Sequence, residues 1–514
     1  MYLNTPNICN NNFPFFYMPY LTDFICIAYM QGCSFLALPN SIANTGIKPF
    51  IGVYFIALVV EIPLTFLVLV IIQKAAVLRK SGRLYAKLKQ LNADNSEDDD
   101  IDSDAKGSEN EKKFNDTEIN FHLLSESFLP WFLQIAFDAL CFGLLFNAEI
   151  ANALSGSQVF GHLLRIKFKN ILALFVWIEA FLLIFARRLL NLVIPIASLV
   201  RCIILLIMII ICFIVGHSVH HPIHNSWQRI SSPFLICLVS IGGMARIMPY
   251  LANFVPFERK NLMYLILTTA LAQCSVALFN ILWVYAVVSV VPQTCHDIPS
   301  TFMIQNLTTE NSHCDLTLLW GKNHGEIATN PLVKILTVYY VQYKWVASVV
   351  IGCLVLSTPM SFLANGMPLI TLASGINEGI WHHYLPDEPV VISEHNQQVA
   401  KNSSNKKKRN FRLCMRLSEI LLQVIIFTAL YLICLFCPQA FYIFANYGAS
   451  LASFLYSGIF IPILFYIATS KKYDDIEIPL PVSSMFRYVA SILMVFYMAM
   501  AVVAILVTVK VIPD

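Results

Sequence analysis

Residues 234–250 read Phe-Leu-Ile-Cys-Leu-Val-Ser-Ile-Gly-Gly-Met-Ala-Arg-Ile-Met-Pro-Tyr, an apolar run carrying a glycine pair, an arginine and a proline near its centre. A helix that crosses lipid keeps its backbone hydrogen bonds internal, so glycine and proline at mid-span imply local unwinding around a cavity or ligand. A second run has the same character: Gln31-Gly32-Cys33-Ser34 is followed by Pro39. The alternative for both is a packing glycine or a proline kink, which are common in membrane helices. Counted along the chain, the two runs lie in spans 1 and 6, as corresponding elements of two five-helix inverted repeats would.

Working outward, the apolar runs bounded by charge, proline or polar clusters predict eleven spans, near 24–45, 50–73, 128–151, 171–190, 192–215, 233–255, 262–292, 345–372, 414–436, 440–469 and 486–511. Composition agrees, with 57% hydrophobic and 13% charged residues in 514 and a mean hydropathy of +0.67. A soluble domain carries about a quarter charged residues, so a soluble enzyme is excluded in favour of a polytopic helical membrane protein. The net charge is only +3 and the basic residues cluster in loops, which argues against a nucleic-acid partner. Most of the fourteen cysteines lie in apolar runs, where Cys acts as a small hydrophobe. No Walker A lysine motif, GxSxG elbow or HExxH sequence occurs, so nothing points to an enzyme or an ATP-driven pump.

Two hydrophilic loops stand out, 74–124 with the acidic stretch Asn95–Glu111, and 374–413 with Lys406-Lys407-Lys408-Arg409. Nine Lys and Arg fall in 74–124 and seven in 401–416, against three, one and two in 152–169, 216–232 and 293–343. The positive-inside rule then places the two basic segments and the N-terminus in the cytoplasm and the C-terminus outside. Residues 1–23 lack Lys and Arg, so span 1 itself is expected to drive insertion. The acidic run is a candidate surface for a cytoplasmic partner. The loop 293–343 falls outside, where Asn306-Leu307-Thr308 is a glycosylation sequon and Cys295 with Cys314 is the Cys pair of that aqueous loop, a disulfide candidate. The sequons at Asn115 and Asn402 fall in cytoplasmic loops and are read as chance. The histidines of 217–224 suit zinc or pH sensing, with a solvated loop as the favoured reading.

In this setting the chain resembles the neurotransmitter:sodium symporter family (solute carrier family 6). The family start, GLGNxWRFPYxxxxNGGGAFLxPY then GIPLFFLE, is similar to QGCSFLALPNSIANTGIKPFIGVY (31–54) then EIPLTFLV (61–68), with matches at Pro39, Gly46, Phe50, Tyr54, Ile62, Pro63, Leu64, Phe66 and Leu67. Ser240-Ile241-Gly242-Gly243 resembles its SLGPG break, and Val255–Asn261 its SYNxFxNN. Tyr442-Ile443-Phe444 with Ala449-Ser450 resembles its span 10, and Asp474-Asp475-Ile476-Glu477 a DDIxxM motif. The resemblance runs in order through span 11, and the chain ends at Asp514 where the family has a twelfth span.

The resemblance implies a LeuT-type 5+5 inverted-repeat fold: residues 1–23 as a cytoplasmic tail, 24–215 as repeat 1, 216–469 as repeat 2, and 470–514 as span 11 with the C-terminus. It implies a plasma-membrane, secondary-active transporter of a small amine, amino acid or osmolyte working by alternating access. Sodium and chloride enter only as ions of that family; no other cofactor is expected. Carried over by position, the sodium ligands fall on Ser34, Thr268, Ser357, Thr358 and Ser361, where Pro359-Met360 replace an Asp-Ser pair. The outer-gate ion pair falls on Ala37 and Gly448 and is absent, and the substrate-carboxylate Tyr of span 3 falls on Asp138. The substrate set is Gln31, Asp138, Ser240, Gly242, Gly243 and Arg246.

Charged groups inside spans are costly and mark candidate sites, which adds Glu61, Glu179 and Arg201 to Asp138 and Arg246. Asp138 and Arg246 are assigned to the site, Glu61 or Glu179 to proton carriage, with buried structural pairing as the alternative. The degraded sodium ligands favour a second reading, a transport-inactive relative kept as scaffold, receptor or accessory subunit.

Overall fold

A computed structural model of the chain describes residues 23, 25–27, 29–30, 33–94, 119–219, 222–297, 314–324, 326–383, 397–437 and 448–508. Among these every regular element is helical. The helices are α1 (Cys33–Ser41), α2 (Ile47–Asp94), α3 (Phe121–Phe128), α4 (Trp131–Leu164), α5 (Phe168–Phe185), α6 (Arg187–Val219), α7 (Ser231–Ile241) and α8 (Gly243–Ala252). They continue as α9 (Arg259–Val288), α10 (Leu318–His324), α11 (Thr329–Val338), α12 (Lys344–His383), α13 (Gln397–Phe436), α14 (Ala449–Leu455), α15 (Ile461–Ala468) and α16 (Met485–Thr508). Ten stretches are long and apolar enough to cross a membrane, and they coincide with the predicted spans 2 to 11. Span 1 is represented by α1 and by helical residues before it.

Local chemistry sets the element ends. Asn120 caps α3 by accepting the Leu123 N–H at 2.8 Å, and Leu129-Pro130 separates α3 from α4 because proline cannot continue the preceding helix. Arg165 ends α4 in the left-handed region (φ 55°), returning its N–H to Gly161. Gly46 turns the chain between α1 and α2 at φ +82°, with the backbone of His224 packed where a side chain would be. Glycine meets both demands at once.

The long helices sort into two packed sets. One joins α1, α2, α7, α8 and α9, which are spans 1, 2, 6 and 7. The other joins α4, α5, α12 and α13, which are spans 3, 4, 8 and 9. Each set therefore contains members five spans apart, the packing expected of a 5+5 inverted repeat, and the fold is an all-α polytopic membrane protein of that type. Burial identifies its centre. The α7–α8 span is 89% buried, whereas α13 is 28% and α16 33%, so among the ten stretches the interrupted one is the most shielded from lipid. Phe181, Leu174 and Phe185 on α5 and Leu421 and Ile425 on α13 are exposed to the surroundings, as lipid-facing side chains should be.

Candidate functional site

At the centre, Gly242 is the one residue that separates α7 from α8. The interruption leaves carbonyls without their usual helical donors, and the chain supplies a donor of its own. Arg246, one turn further on, folds back so that Nη2 donates to the Val239 carbonyl at 2.5 Å and Nε to the Gly242 carbonyl at 3.3 Å. A guanidinium is planar and multiply donating, which suits two neighbouring carbonyls better than an ammonium does. Arg246 is buried, so its charge is held in a setting where burial without hydrogen bonds would be costly.

Glu61 from α2 lies against the break. A Cβ on Gly242 would stand 2.8 Å from Glu61 Oε1, so glycine lets the carboxyl approach the backbone. Tyr497 of α16 donates to the same oxygen at 2.6 Å, while Glu61 Oε2 is buried without a hydrogen-bond partner. Tyr456 donates to the Ala245 carbonyl at 3.2 Å. That tyrosine opens a π-helical turn, Tyr456–Phe460, between α14 and α15, and Gly458 in the turn lets Tyr497 lie close, since a Cβ there would be 2.7 Å from the Tyr497 Cβ. π-turns inside longer helices recur at functional sites. Span 1 completes the shell, with Tyr29 and Met30 packed against Gly243.

Above the break, a neutral polar knot joins three helices. Asn280 of α9 donates to Tyr54 at 2.5 Å and to Ser240 at 3.2 Å, and Tyr54 donates to Ser240 at 3.2 Å. Two further carboxyls are buried on α4 and α5. Glu149 of α4 is fully buried with Asn152 of its own helix beside it, and Glu179 of α5 is buried and close enough for its charge to act on Glu149. Tyr29 is within electrostatic reach of both Arg246 and Glu149. The centre thus holds a cation at the broken span and carboxyls on the helices facing it.

Asp138 takes a different place. It lies about two turns into α4, where His122 Nδ1 contacts it at 2.7 Å and Ser125 donates to it at 2.8 Å, both from α3. His122 and Asn120 pack against Gly379 and Gly375 of α12. Among the described residues no ion pair joins Asp138 to Arg246. Glu149 is the carboxylate that α4 brings to the middle. Sequence reading misses it because a span ending at 151 puts Glu149 at its edge, whereas the helix runs on to Leu164.

The positions aligned with sodium ligands are dispersed. Thr268 lies on the flank of α9 with exposed Tyr264, Leu267 and Leu271, and its hydroxyl donates to Tyr264 and Leu265 carbonyls of its own turn at 2.8 and 3.0 Å. Ser357, Thr358 and Ser361 are buried together in α12, with Thr358 and Ser361 donating to carbonyls one turn back. Asn280, not Thr268, is the span 7 side chain at the level of Ser240. Gln31 lies outside the described residues, and Ser34 falls in α1. Arg201 is buried in α6 near Cys353 of α12. Among the described residues no three His, Cys, Asp or Glu side chains gather as a metal site.

At the opposite end, Cys295 and Cys314 form a disulfide with Cα atoms 5.1 Å apart. Asn306 lies outside the described residues. His224 pairs with Asp297 at 3.2 Å and is largely exposed; residues 220 and 221 lie outside the described residues.

The chain matches no sequence profile of a protein family, and no curated protein matches it in sequence. Solved structures do resemble it. A glutamate-to-alanine mutant of the manganese transporter of Eremococcus coleocola aligns with a TM-score of 0.52 at 10% identity, over 95% of this chain and 86% of that one. A histidine-to-alanine mutant of the same transporter gives 0.51 at 10% identity, over 95% and 85%. At this identity the likeness is one of fold.

Proposed function

We propose that the chain is a secondary-active transporter of the plasma membrane, a divergent relative of the sodium-symporter type, that moves a small amine, amino acid or related osmolyte by alternating access. The observation that carries this reading is the Gly242 interruption, with Arg246, Glu61 and Tyr456 converging on it inside a span that is 89% buried. Irregular backbone at membrane depth is tolerated only where protein or a cavity surrounds it, and discontinuous spans at the midplane are where such transporters bind. Arg246 and the N-terminus of α8 favour a carboxylate. The buried Glu149 and Glu179 on α4 and α5 favour an ammonium group. A zwitterionic amino acid satisfies both, and an amine satisfies one.

In this reading the α1, α2, α7, α8 and α9 set moves against the α4, α5, α12 and α13 set, with the N-terminus in the cytoplasm and the acidic 74–124 loop facing cytoplasmic partners. Purified protein in proteoliposomes, offered a mixed amine and amino-acid library, is expected to accumulate a zwitterion or amine above equilibrium under an imposed ion gradient. Absence of accumulation, together with no ligand-induced thermal shift, overturns the proposal.

A further inference from the structure

A broken transmembrane helix exposes carbonyl oxygens, and such oxygens are the hard donors that a monovalent cation such as sodium seeks. Here the carbonyls at the break already carry a cation. Arg246 donates to the Val239 carbonyl in the last turn of α7 and to the carbonyl of Gly242 at the break itself, from a side chain that is itself buried. Of the described hydroxyls at the sodium-ligand positions, Thr268 sits on the flank of α9 beside exposed side chains, and Thr358 and Ser361 donate to carbonyls of α12. A second positive charge placed beside a guanidinium in a low-dielectric interior is strongly repelled. The chain's own donor set therefore does not fit sodium.

We propose that Arg246 is a tethered cation, permanently filling the place at the span 6 break that a dissolved monovalent cation fills in sodium-coupled relatives of this architecture, so that the centre binds no sodium. The charge neutralises the freed carbonyls and holds α7 and α8 in register, and the guanidinium keeps further N–H donors for a substrate carboxylate. For its meaning in a transport cycle the proposal rests on the transporter reading; as a statement about binding it does not.

The test uses full-length protein in nanodiscs, with choline replacing sodium at constant ionic strength. Wild type is expected to show no saturable binding of radioactive sodium and the same Tm in sodium as in choline. Arg246→Ala is expected to melt lower and to recover about half or more of the lost Tm in millimolar guanidinium, the smallest ion that reproduces the missing group. Arg246→Lys keeps the charge and is expected to lie between the two. Saturable sodium binding by the wild type overturns the proposal, and this arm requires no variant to fold. Failure of guanidinium to raise the Tm of Arg246→Ala, with Arg246→Lys no more stable than Arg246→Ala, also overturns it. Uptake in liposomes reports on the other question: no uptake alongside guanidinium rescue would end the transport reading and leave the tethered cation in place.

Discussion

Gly242 and Tyr497 make opposite contributions to one carboxyl. The glycine leaves space for Glu61 against the backbone, and the tyrosine holds one of its oxygens. Tyr497→Phe removes that donor and leaves both oxygens of a buried group unpartnered, a loss of about 1–3 kcal/mol, measurable as a lower Tm in detergent. Gly242→Ala forces its methyl to within 2.8 Å of both Glu61 Oε1 and the Leu238 carbonyl, so the break must shift. Uptake is expected to fall at least tenfold while the protein remains folded, because the displaced group is the one on which the site is built. Unchanged uptake by Gly242→Ala would remove the break from the mechanism. Residues also set the limit of what the amino-acid sequence discloses. Arg246, Ser240 and the glycine pair are legible because their types are out of place in an apolar run. Glu149 and Asn280 are not, since hydropathy does not tell where a helix that continues into polar residues will end, nor which helix a given face will meet. A motif alignment reads Asp138 as central, and the structure seats it near the start of α4 beneath α3, a contact no local pattern encodes.

At the scale of elements, α3 is a short helix held at both flanks. Asn120 and His122 fill the spaces left by Gly375 and Gly379 on α12, and Ser125 with His122 grips Asp138 on α4. Gly379→Leu is expected to displace α3 and to cost more than His122→Ala, which trims the contact but leaves room. Thermal unfolding of the two variants orders them, and a reversed order would show that the His122–Asp138 contact, rather than close packing, secures α3. The π-turn at Tyr456–Phe460 gives a parallel case. A methyl on Gly458 meets Tyr497 Cβ at 2.7 Å, so Gly458→Ala should lower stability through the Glu61–Tyr497 contact, and Tyr497→Phe should make that loss smaller than the sum of the two single changes. A double-mutant cycle on Tm checks this. The existence of the elements is the easier part of the sequence: spans 2 to 11 all emerge as helices where apolar runs place them. Their breaks and bulges depend on partners distant along the chain, which a run of hydropathy does not contain.

For the whole molecule, sidedness is the property that a topological experiment can decide. Cys414 is exposed within the basic 401–416 segment, which the positive-inside rule assigns to the side opposite the Cys295–Cys314 loop and the Asn306 sequon. In intact cells Cys414 is expected to resist a membrane-impermeant maleimide until the membrane is opened, and Asn306→Gln is expected to remove a glycan seen as a gel shift on deglycosylation. Labelling of Cys414 from outside would invert the orientation drawn from the positive-inside rule.

One side chain near the Cys295–Cys314 disulfide has a mechanical consequence. Gln293, just past α9, donates to the carbonyls of Ile42 and Ala43 after α1 and of His224 ahead of α7, and its own carbonyl accepts the His224 N–H at 2.7 Å. A single amide thus ties the segments after α1 and after α9 to the connection that precedes α7. Under the proposed alternating-access function, an opening on this side would part along the seam between these tied segments and the α4–α5–α12–α13 set, hinging as a door on one edge and not dilating like an iris.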